Sequence, residues 1–177
     1  MIIRLADVWR DYAVKIGKER FAFAAAQGWR NYGAQEANEE YDICGTVAEC
    51  GVAKYFKQRW KESVGDITGI DVGDIIEVRG RPVGRAQKDL GFRPKDKPKR
   101  EMPHVLVWVN ADYSMQLMGW LYGYECMHEE DDERHLERWS ESSKCWYNPP
   151  PYRPLDELSE LLANEAEVAR IKASYTR

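Results

Sequence analysis

The chain has 177 residues, of which 44% are hydrophobic and 12% aromatic, so it is long and apolar enough to fold as one domain with a packed core. No stretch approaches the roughly 18 apolar residues that a membrane span needs, and we expect no membrane partner. The formal net charge is −4, but basic and acidic residues concentrate in different segments. One basic face can therefore still bind a polyanion.

The N-terminal segment carries no basic region ahead of an apolar run, so the sequence predicts no export signal and a cytoplasmic protein. That compartment is reducing, and we expect free thiols rather than disulfides. The cysteines concerned are Cys44, Cys50, Cys126 and Cys145.

Three segments are predicted to be helical. Apolar residues recur at spacings of three and four from Leu5 to Gln27, which makes one apolar stripe. The polar residues 28–41 read as a loop, and a second helix is predicted from about Ile43 to Trp60. The last helix is predicted from about Leu155 to Ala173.

The strands are predicted between these helices. Ile75 to Arg79 is a short strand, and His104 to Val109 is apolar nearly throughout, as in the interior of a sheet. Tyr113 to Tyr124 reads as one or two strands hinged at a glycine, with a further short strand within Asp89 to Arg93. The order predicts an α/β (α+β) fold with a single mixed sheet flanked by helices.

We expect one domain with four parts: an N-terminal helical extension (1–42), a core (43–124), an acidic surface insertion (125–147), and a proline-rich segment with the last helix (148–177). Trp108 and Trp120 are predicted to belong to the core. The acidic insertion is either a solvated loop or the binding site of a protein partner.

Basic residues dominate between Arg79 and Arg100, where only Asp89 and Asp96 oppose them. Such a stretch either is a solvated loop or follows a nucleic-acid backbone. In the second case, the phosphate contacts are expected from Arg81, Arg85, Lys88, Arg93 and Lys95.

Glu49 lies in the apolar stripe of the second helix, on the same face as Ala53, Phe56 and Trp60. A buried unpaired carboxylate costs several kcal/mol or becomes protonated, so something must compensate it. The candidates are a metal, a basic side chain such as an arginine, or hydrogen bonds to backbone amides.

A second set of acidic residues lies just before the first predicted strand and within it. Side chains alternate along a strand, so Glu77 and Arg79 share one face, and Asp71 and Asp74 lie in the bend before them. Carboxylate oxygens favour Mg²⁺ or Mn²⁺ over zinc. The alternative is an ordinary turn followed by an exposed Glu77–Arg79 ion pair.

The order of a helical acid in Gly45-x-x-x-Glu49, then an Asp, then Glu77-Val-Arg79 resembles the PD-(D/E)xK nuclease core. Other stretches are similar to a group of uncharacterised phage-encoded proteins with this pattern. These stretches are Ala48-Glu49, Asp71 to Arg79, Leu90 to Asp96, Val105-Leu-Val107 and Gly119-Trp-Leu-Tyr-Gly123.

The resemblance implies a restriction-endonuclease-like core and hydrolysis of nucleic-acid phosphodiesters, in a bacterial or phage-infected cell. It also implies Mg²⁺ or Mn²⁺ held by Glu49, Asp71 and Glu77, with Asp66 and Asp74 as alternates for the middle acid.

The chain departs from the family where Arg79 stands at the lysine position. Arginine cannot act as a base, although it can hold a phosphate or a water. Lys54 or Lys88 could replace the lysine in space. Two hypotheses follow: an active nuclease, or a catalytically inactive phage accessory protein that binds nucleic acid or protein.

A third hypothesis is a small zinc-containing interaction module built on Cys126, His128, His135 and Cys145. The Cys-x-His spacing lacks the usual gap of two residues and matches no established zinc pattern, so the sequence does not favour zinc.

Overall fold

The computed structural model describes residues 2–28, 35–66, 69–84, 89–128, 134–141 and 144–175. Within these ranges the chain has a mixed α+β fold with two sheets. The strands are β1 (Ile2–Ile3), β2 (Glu77–Pro82), β3 (Leu90–Phe92), β4 (Pro103–Val109), β5 (Met115–Tyr122), β6 (Trp139–Ser140) and β7 (Cys145–Asn148). The helices are α1 (Asp7–Ala26), α2 (Gln35–Tyr55), α3 (Gly123–Cys126), α4 (Arg134–Arg138), α5 (Leu155–Ala163) and α6 (Glu165–Tyr175), with a 3₁₀ helix at Pro94–Lys99.

The main sheet has the strand order β1-β5-β4-β2. Strands β2 and β4 are parallel, and the other two pairs are antiparallel, so the sheet is mixed, as predicted. The apolar strand β4 lies inside the sheet and is buried at every residue except Trp108, which is half-buried. The prediction of an interior strand is therefore confirmed.

A second, antiparallel sheet has the order β3-β7-β6. The prediction of a single sheet is wrong, because two strands of this sheet lie in the segment interpreted as an acidic insertion. Trp146 on β7 packs with Leu90 and Phe92 of β3, together with Leu106 and Cys126, in a small apolar cluster of its own. Cys126 and Trp146 of the acidic segment thus contribute to a second core together with residues of β3 and β4.

Helix α1 forms as predicted, but α2 is displaced from the predicted range. It begins at Gln35, because Gln35-Glu-Ala-Asn-Glu-Glu contains good helix formers, and the proposed boundary at residue 43 falls inside it. It ends at Tyr55 rather than Trp60. Lys57 there adopts a left-handed conformation (φ 54°), and the backbone N–H groups of residues 56–58 cap the last carbonyls.

Two glycines allow α2 to pack closely on both sides. A Cβ on Gly17 of α1 would lie 2.6 Å from the Cα of Ile43, and a Cβ on Gly80 of β2 would lie 2.5 Å from the carbonyl oxygen of Cys44. Between these contacts, the hydroxyl of Thr46 donates a hydrogen bond to the carbonyl of Ala13 at 2.8 Å. Helix α2 is thus held between α1 and the main sheet, with Glu49 inside.

The C-terminal segment forms two helices instead of the single predicted one. Asn164 interrupts them, and its side-chain oxygen accepts a hydrogen bond from the N–H of Glu167 at 3.2 Å. Asparagine favours such capping positions over a helix interior. Leu158 of α5 and Ile171 of α6 are fully buried in the main core.

The main core lies between α1, α2, the main sheet and the two C-terminal helices. Trp120 is buried in it, as predicted, whereas Trp108 packs against the second cluster. All four cysteines are buried free thiols, as expected. None of the helices in the described ranges is long and apolar enough to cross a bilayer.

Candidate active site

Glu49 is buried in α2 with 4% of its surface exposed. The guanidinium of Arg20 donates to both of its carboxylate oxygens, at 2.6 and 2.7 Å, and the indole N–H of Trp60 donates at 3.0 Å. Burial raises the pKa of Glu49 and the charge of Asp71 adds to the increase, while Arg20 and Trp60 oppose it. The alternative in which an arginine compensates Glu49 is thus confirmed.

Glu77 opens β2 and is 1% exposed, so the alternative of an exposed ion pair with Arg79 is wrong. Its Oε1 accepts a hydrogen bond from the ammonium of Lys99 at 2.8 Å, and its Oε2 lies 3.5 Å from the guanidinium of Arg79. Burial raises the pKa of Glu77, as does the charge of Asp71, whereas Arg79 and Lys99 act to lower it.

Asp71 lies half-buried in the bend before β2, and its Oδ2 accepts a hydrogen bond from the N–H of Val78 at 2.8 Å. Its charge helps to raise the pKa of both Glu49 and Glu77, and it also acts to raise the pKa of Arg20 and Arg79. Among the described residues, no basic side chain lies within ion-pair distance of Asp71.

The two alternates for this acid lie elsewhere. The side chain of Asp66 accepts a hydrogen bond from the N–H of Gly69 at 2.9 Å. Asp74 is exposed and forms ion pairs with Lys172 at 2.8 Å and with Lys61 at 3.9 Å. Of the three aspartates, Asp71 is the one whose charge acts on both glutamates.

The sequence did not predict a role for Lys99 at this site. It extends from the 3₁₀ helix to Glu77 and also donates to the carbonyl of Gly69. No periodicity marks it, because it lies in a proline-containing basic segment. Of the lysines considered instead, Lys54 is exposed over the ring of Trp9, and Lys88 lies outside the described residues.

Asp96 holds Arg79 in place. Its Oδ2 accepts hydrogen bonds from the guanidinium of Arg79 and from the backbone N–H of Arg93, both at 3.0 Å. Burial acts to lower the pKa of Arg79, but the carboxylates of Asp96 and Glu77 outweigh it and raise the pKa. Arg79 is therefore a fixed positive charge.

His104 lies opposite Glu77 in the parallel register of β2 and β4. It is fully buried; its Nε2 lies 3.2 Å from the carbonyl oxygen of Lys99, and its Nδ1 has no hydrogen-bond partner. Burial lowers the pKa of His104 to about 3, with a further contribution from Arg79. The imidazole is thus neutral near pH 7.

We call these side chains the acid–base cluster. It contains four carboxyl groups and three basic groups, which gives a formal net charge of −1 when all seven are ionised. Its members are Glu49, Asp71, Glu77, Asp96, Arg20, Arg79 and Lys99.

The acid–base cluster is not a formed metal site in this structure. Within the described part of the chain, no group of three or more His, Cys, Asp or Glu side chains is arranged to hold a metal ion. Arg20 covers both oxygens of Glu49, and Lys99 covers one oxygen of Glu77. The acids fit a divalent cation only if these two basic side chains give up part of their contacts.

The basic stretch divides into an inner and an outer set. Arg79 and Lys99 belong to the acid–base cluster, and Arg81 is half-buried, with its Nε shielded from solvent and without a partner. Arg93, Lys97 and Arg100 are exposed. The structure does not describe Arg85 and Lys88, nor the side chain of Lys95.

The four candidate zinc ligands are in different surroundings. Cys126 and Cys145 are buried, and burial raises the pKa of each thiol. Nε2 of His128 lies 2.8 Å from the side-chain oxygen of Asn148. The side chain of His135 lies outside the described part.

The geometry can be set beside the known proteins. No protein-family model, curated protein or solved structure matches this chain. The resemblance to PD-(D/E)xK nucleases therefore stays a prediction.

Proposed function

We propose that this protein is a Mg²⁺- or Mn²⁺-dependent nuclease-like protein that acts on nucleic-acid phosphodiesters, built on a restriction-endonuclease-like core of the PD-(D/E)xK type. The observation that carries the proposal is the position of Asp71. Its charge acts on two buried glutamates from different elements, and no described basic side chain forms an ion pair with it.

Electrostatics favours a cation at this point. Asp71 attracts the charges of Arg20 and Arg79 but repels those of Glu49 and Glu77, and repulsion between carboxylates is strong when they are shielded from water. A hard divalent cation with oxygen ligands would relieve it. Asp71 is half-buried, whereas both glutamates are buried, so a cation would bind first at Asp71.

The chain also provides the basic groups that such a site needs. Lys99 places an ammonium beside Glu77, where the Glu77-Val-Arg79 motif itself has no lysine. Arg79, held by Asp96, is a permanent positive charge that can bind a phosphate oxygen but cannot act as a base. A bound metal would polarise the phosphodiester and lower the pKa of an attacking water.

A second candidate is the catalytically inactive accessory protein, which uses the same fold to bind nucleic acid or protein. Its support is the two-pronged contact of Arg20 with Glu49, which occupies both carboxylate oxygens. In this candidate the acid–base cluster is a structural ion-pair network, and metal binding is absent.

The test is Mn²⁺ binding by calorimetry, with cleavage of plasmid and single-stranded DNA measured on the same samples. We expect Asp71→Asn to weaken Mn²⁺ binding more than about tenfold and to abolish cleavage, because even partners of metal ligands are typically worth ~10–100-fold in affinity. The matched control is Asp74→Asn, which makes the same change at an exposed acid.

The outcomes separate the two candidates. Loss of Mn²⁺ binding and of DNA cleavage in Asp71→Asn, but not in Asp74→Asn, supports the metal-dependent nuclease. A wild-type protein that neither binds Mn²⁺ nor cleaves DNA contradicts it and favours the inactive binding protein. Equal Mn²⁺ binding by all three proteins places the metal away from Asp71 and contradicts the proposed site.

A further inference from the structure

A cleft of about 570 Å³ lies between the first turn of α1 and the segment that follows α2. The residues that line it include Trp9, Lys54, Arg59, Trp60, Lys61 and Ser63. A second cleft of about 280 Å³ shares Gln58, Arg59 and Lys61 with the first and extends to α6. We call the two together the 58–61 groove.

The groove is positively charged. Lys54 and Arg59 are exposed in it, and within the described residues no acid lies within ion-pair distance of Arg59. Its three basic side chains, Lys54, Arg59 and Lys61, outnumber its two acids, Glu62 and Asp74. Glu62 accepts a hydrogen bond from the hydroxyl of Tyr12 at 2.7 Å, and Asp74 pairs with Lys172 at 2.8 Å and with Lys61 at 3.9 Å. Such a surface favours an anionic ligand.

The end of α2, which borders the groove, is capped by the backbone that follows it. A helix C-terminus normally presents uncapped carbonyl oxygens and a partial negative charge. In this chain the backbone N–H groups of Phe56, Lys57 and Gln58 bind the carbonyls of Val52, Lys54 and Ala53. The last turn is thereby closed on itself.

An aromatic side chain lies at the same place. Trp9 keeps 39% of its surface exposed, although the ammonium of Lys54 lies 3.1 Å from the centre of its ring. An exposed tryptophan among cations offers a stacking surface for a base beside contacts for phosphates. Scattered surface lysines would provide contacts for phosphates but no stacking surface for a base.

We propose that the 58–61 groove binds a single strand of nucleic acid, with a base stacked on Trp9 and phosphates bound by Lys54, Arg59 and Lys61. The inference deepens the proposed function, on which it depends for the class of ligand. It assigns the strand to a different face from the basic stretch, three of whose cations turn inward.

The groove also adjoins the acid–base cluster. Trp60 lines the groove, and its indole N–H donates to Glu49 at 3.0 Å. A strand in the groove thus lies one side chain away from the helical acid. This adjacency is what a binding surface for the substrate of that site requires.

The experiment measures the fluorescence anisotropy of a short fluorescein-labelled oligothymidylate in EDTA, as a function of salt. We expect Arg59→Gln to weaken binding and to reduce the salt slope by about 0.7, the value for one phosphate contact in a single strand. Trp9→Leu should weaken binding roughly 5- to 150-fold and leave the salt slope unchanged.

The matched control is Lys97→Gln, which removes an exposed charge from the basic stretch and should leave binding unchanged. Both groove residues are exposed, and urea unfolding of each variant checks that the fold is kept. The inference is overturned if the wild type does not bind the oligonucleotide or if Lys97→Gln loses as much affinity as Arg59→Gln. Competition by polyglutamate as effective as by the oligonucleotide also overturns it.

The two proposals fail differently. Metal-free binding that depends on Trp9 and Arg59, without cleavage in Mn²⁺, supports the groove and contradicts the nuclease. Cleavage that is unaffected by both groove variants supports the nuclease and contradicts the groove.

Discussion

At the scale of single residues, Arg20 and Glu49 form an ion pair that is largely removed from water. The Glu49 side chain is 6% exposed and the Arg20 side chain 20%, so both charges have lost most of their water. A buried ion pair adds little to stability compared with an apolar pair, but removing one partner leaves an uncompensated charge. Substitution therefore has a larger effect than the strength of the pair suggests.

We expect Glu49→Gln to lower the free energy of unfolding by about 3–5 kcal/mol, because it leaves the guanidinium of Arg20 without its counter-charge. Urea unfolding measures the change. The control is Glu62→Gln at an exposed acid hydrogen-bonded to Tyr12, where the loss should stay below about 1 kcal/mol. A loss of similar size in both variants would mean that Glu49 is protonated in the folded protein.

At the scale of elements, α2 and β2 carry the helical acid and the strand acid, and their spacing decides how the two acids meet. The helix approaches the strand at Gly80, where a Cβ would also lie 2.9 Å from the Cβ of Ala48. On the same helix, a Cβ on Gly45 would meet no atom within 4 Å. The two glycines thus have opposite roles.

Gly80→Ala should lower the free energy of unfolding by about 1–3 kcal/mol, because the added methyl group forces β2 away from α2. Gly45→Ala should raise it by roughly 0.5–1 kcal/mol, since alanine is the better helix former and the space is open. Urea unfolding of the two variants side by side is the measurement. Effects of the same sign would contradict the described packing.

The elements also show how far the sequence can predict. Helix α1, the interior strand β4 and the fully buried Trp120 were predicted, because long apolar patterns depend only on residue spacing. The start of α2, the interruption at Asn164 and the second sheet were not. The start of α2 consists of polar helix formers without an apolar pattern. The interruption at Asn164 depends on a local cap, and the second sheet depends on pairing between distant segments.

The candidate site was predictable to a similar extent. Spacing and the resemblance selected Glu49, Asp71 and Glu77, and in the structure the charge of Asp71 acts on both glutamates. Arg20 and Lys99 were not selected, although an arginine partner for Glu49 was considered. Both reach the acids from segments distant in the chain, and neither has a pattern that marks it.

At the scale of the whole molecule, His104 couples the stability of the fold to pH. It lies on β4 against Phe92 of the second sheet, fully buried, and its pKa is lowered to about 3. In the unfolded chain its pKa is about 6.5. The unfolded state thus binds a proton between these values and the folded state does not, so stability is full above about pH 6.5 and is lost as the pH falls toward 3.

We expect His104→Leu to flatten this dependence. Between about pH 6.5 and pH 4, wild type should lose about 3 kcal/mol more stability than the variant, at 1.36 kcal/mol per pKa unit. Glu49 and Glu77, whose pKa values are raised, act in the opposite direction, but they are present in both proteins and cancel in the difference. Urea unfolding of both proteins at a series of pH values measures this difference. Parallel curves of unfolding free energy against pH would contradict a buried neutral imidazole.

The parallel pairing of β2 with β4 has a consequence for the order of folding. The antiparallel neighbours β4 and β5 are joined by a short turn and can pair locally, whereas β2 meets β4 only after the chain from Val83 to Met102 has crossed over. When distant segments pair, the chain loses loop-closure entropy before the stabilising contacts have formed, so such pairings form slowly. That crossover carries Asp96 and Lys99. We therefore expect the contacts of Lys99 with Glu77 and of Asp96 with Arg79 to form late in folding, after β4 has paired with β5.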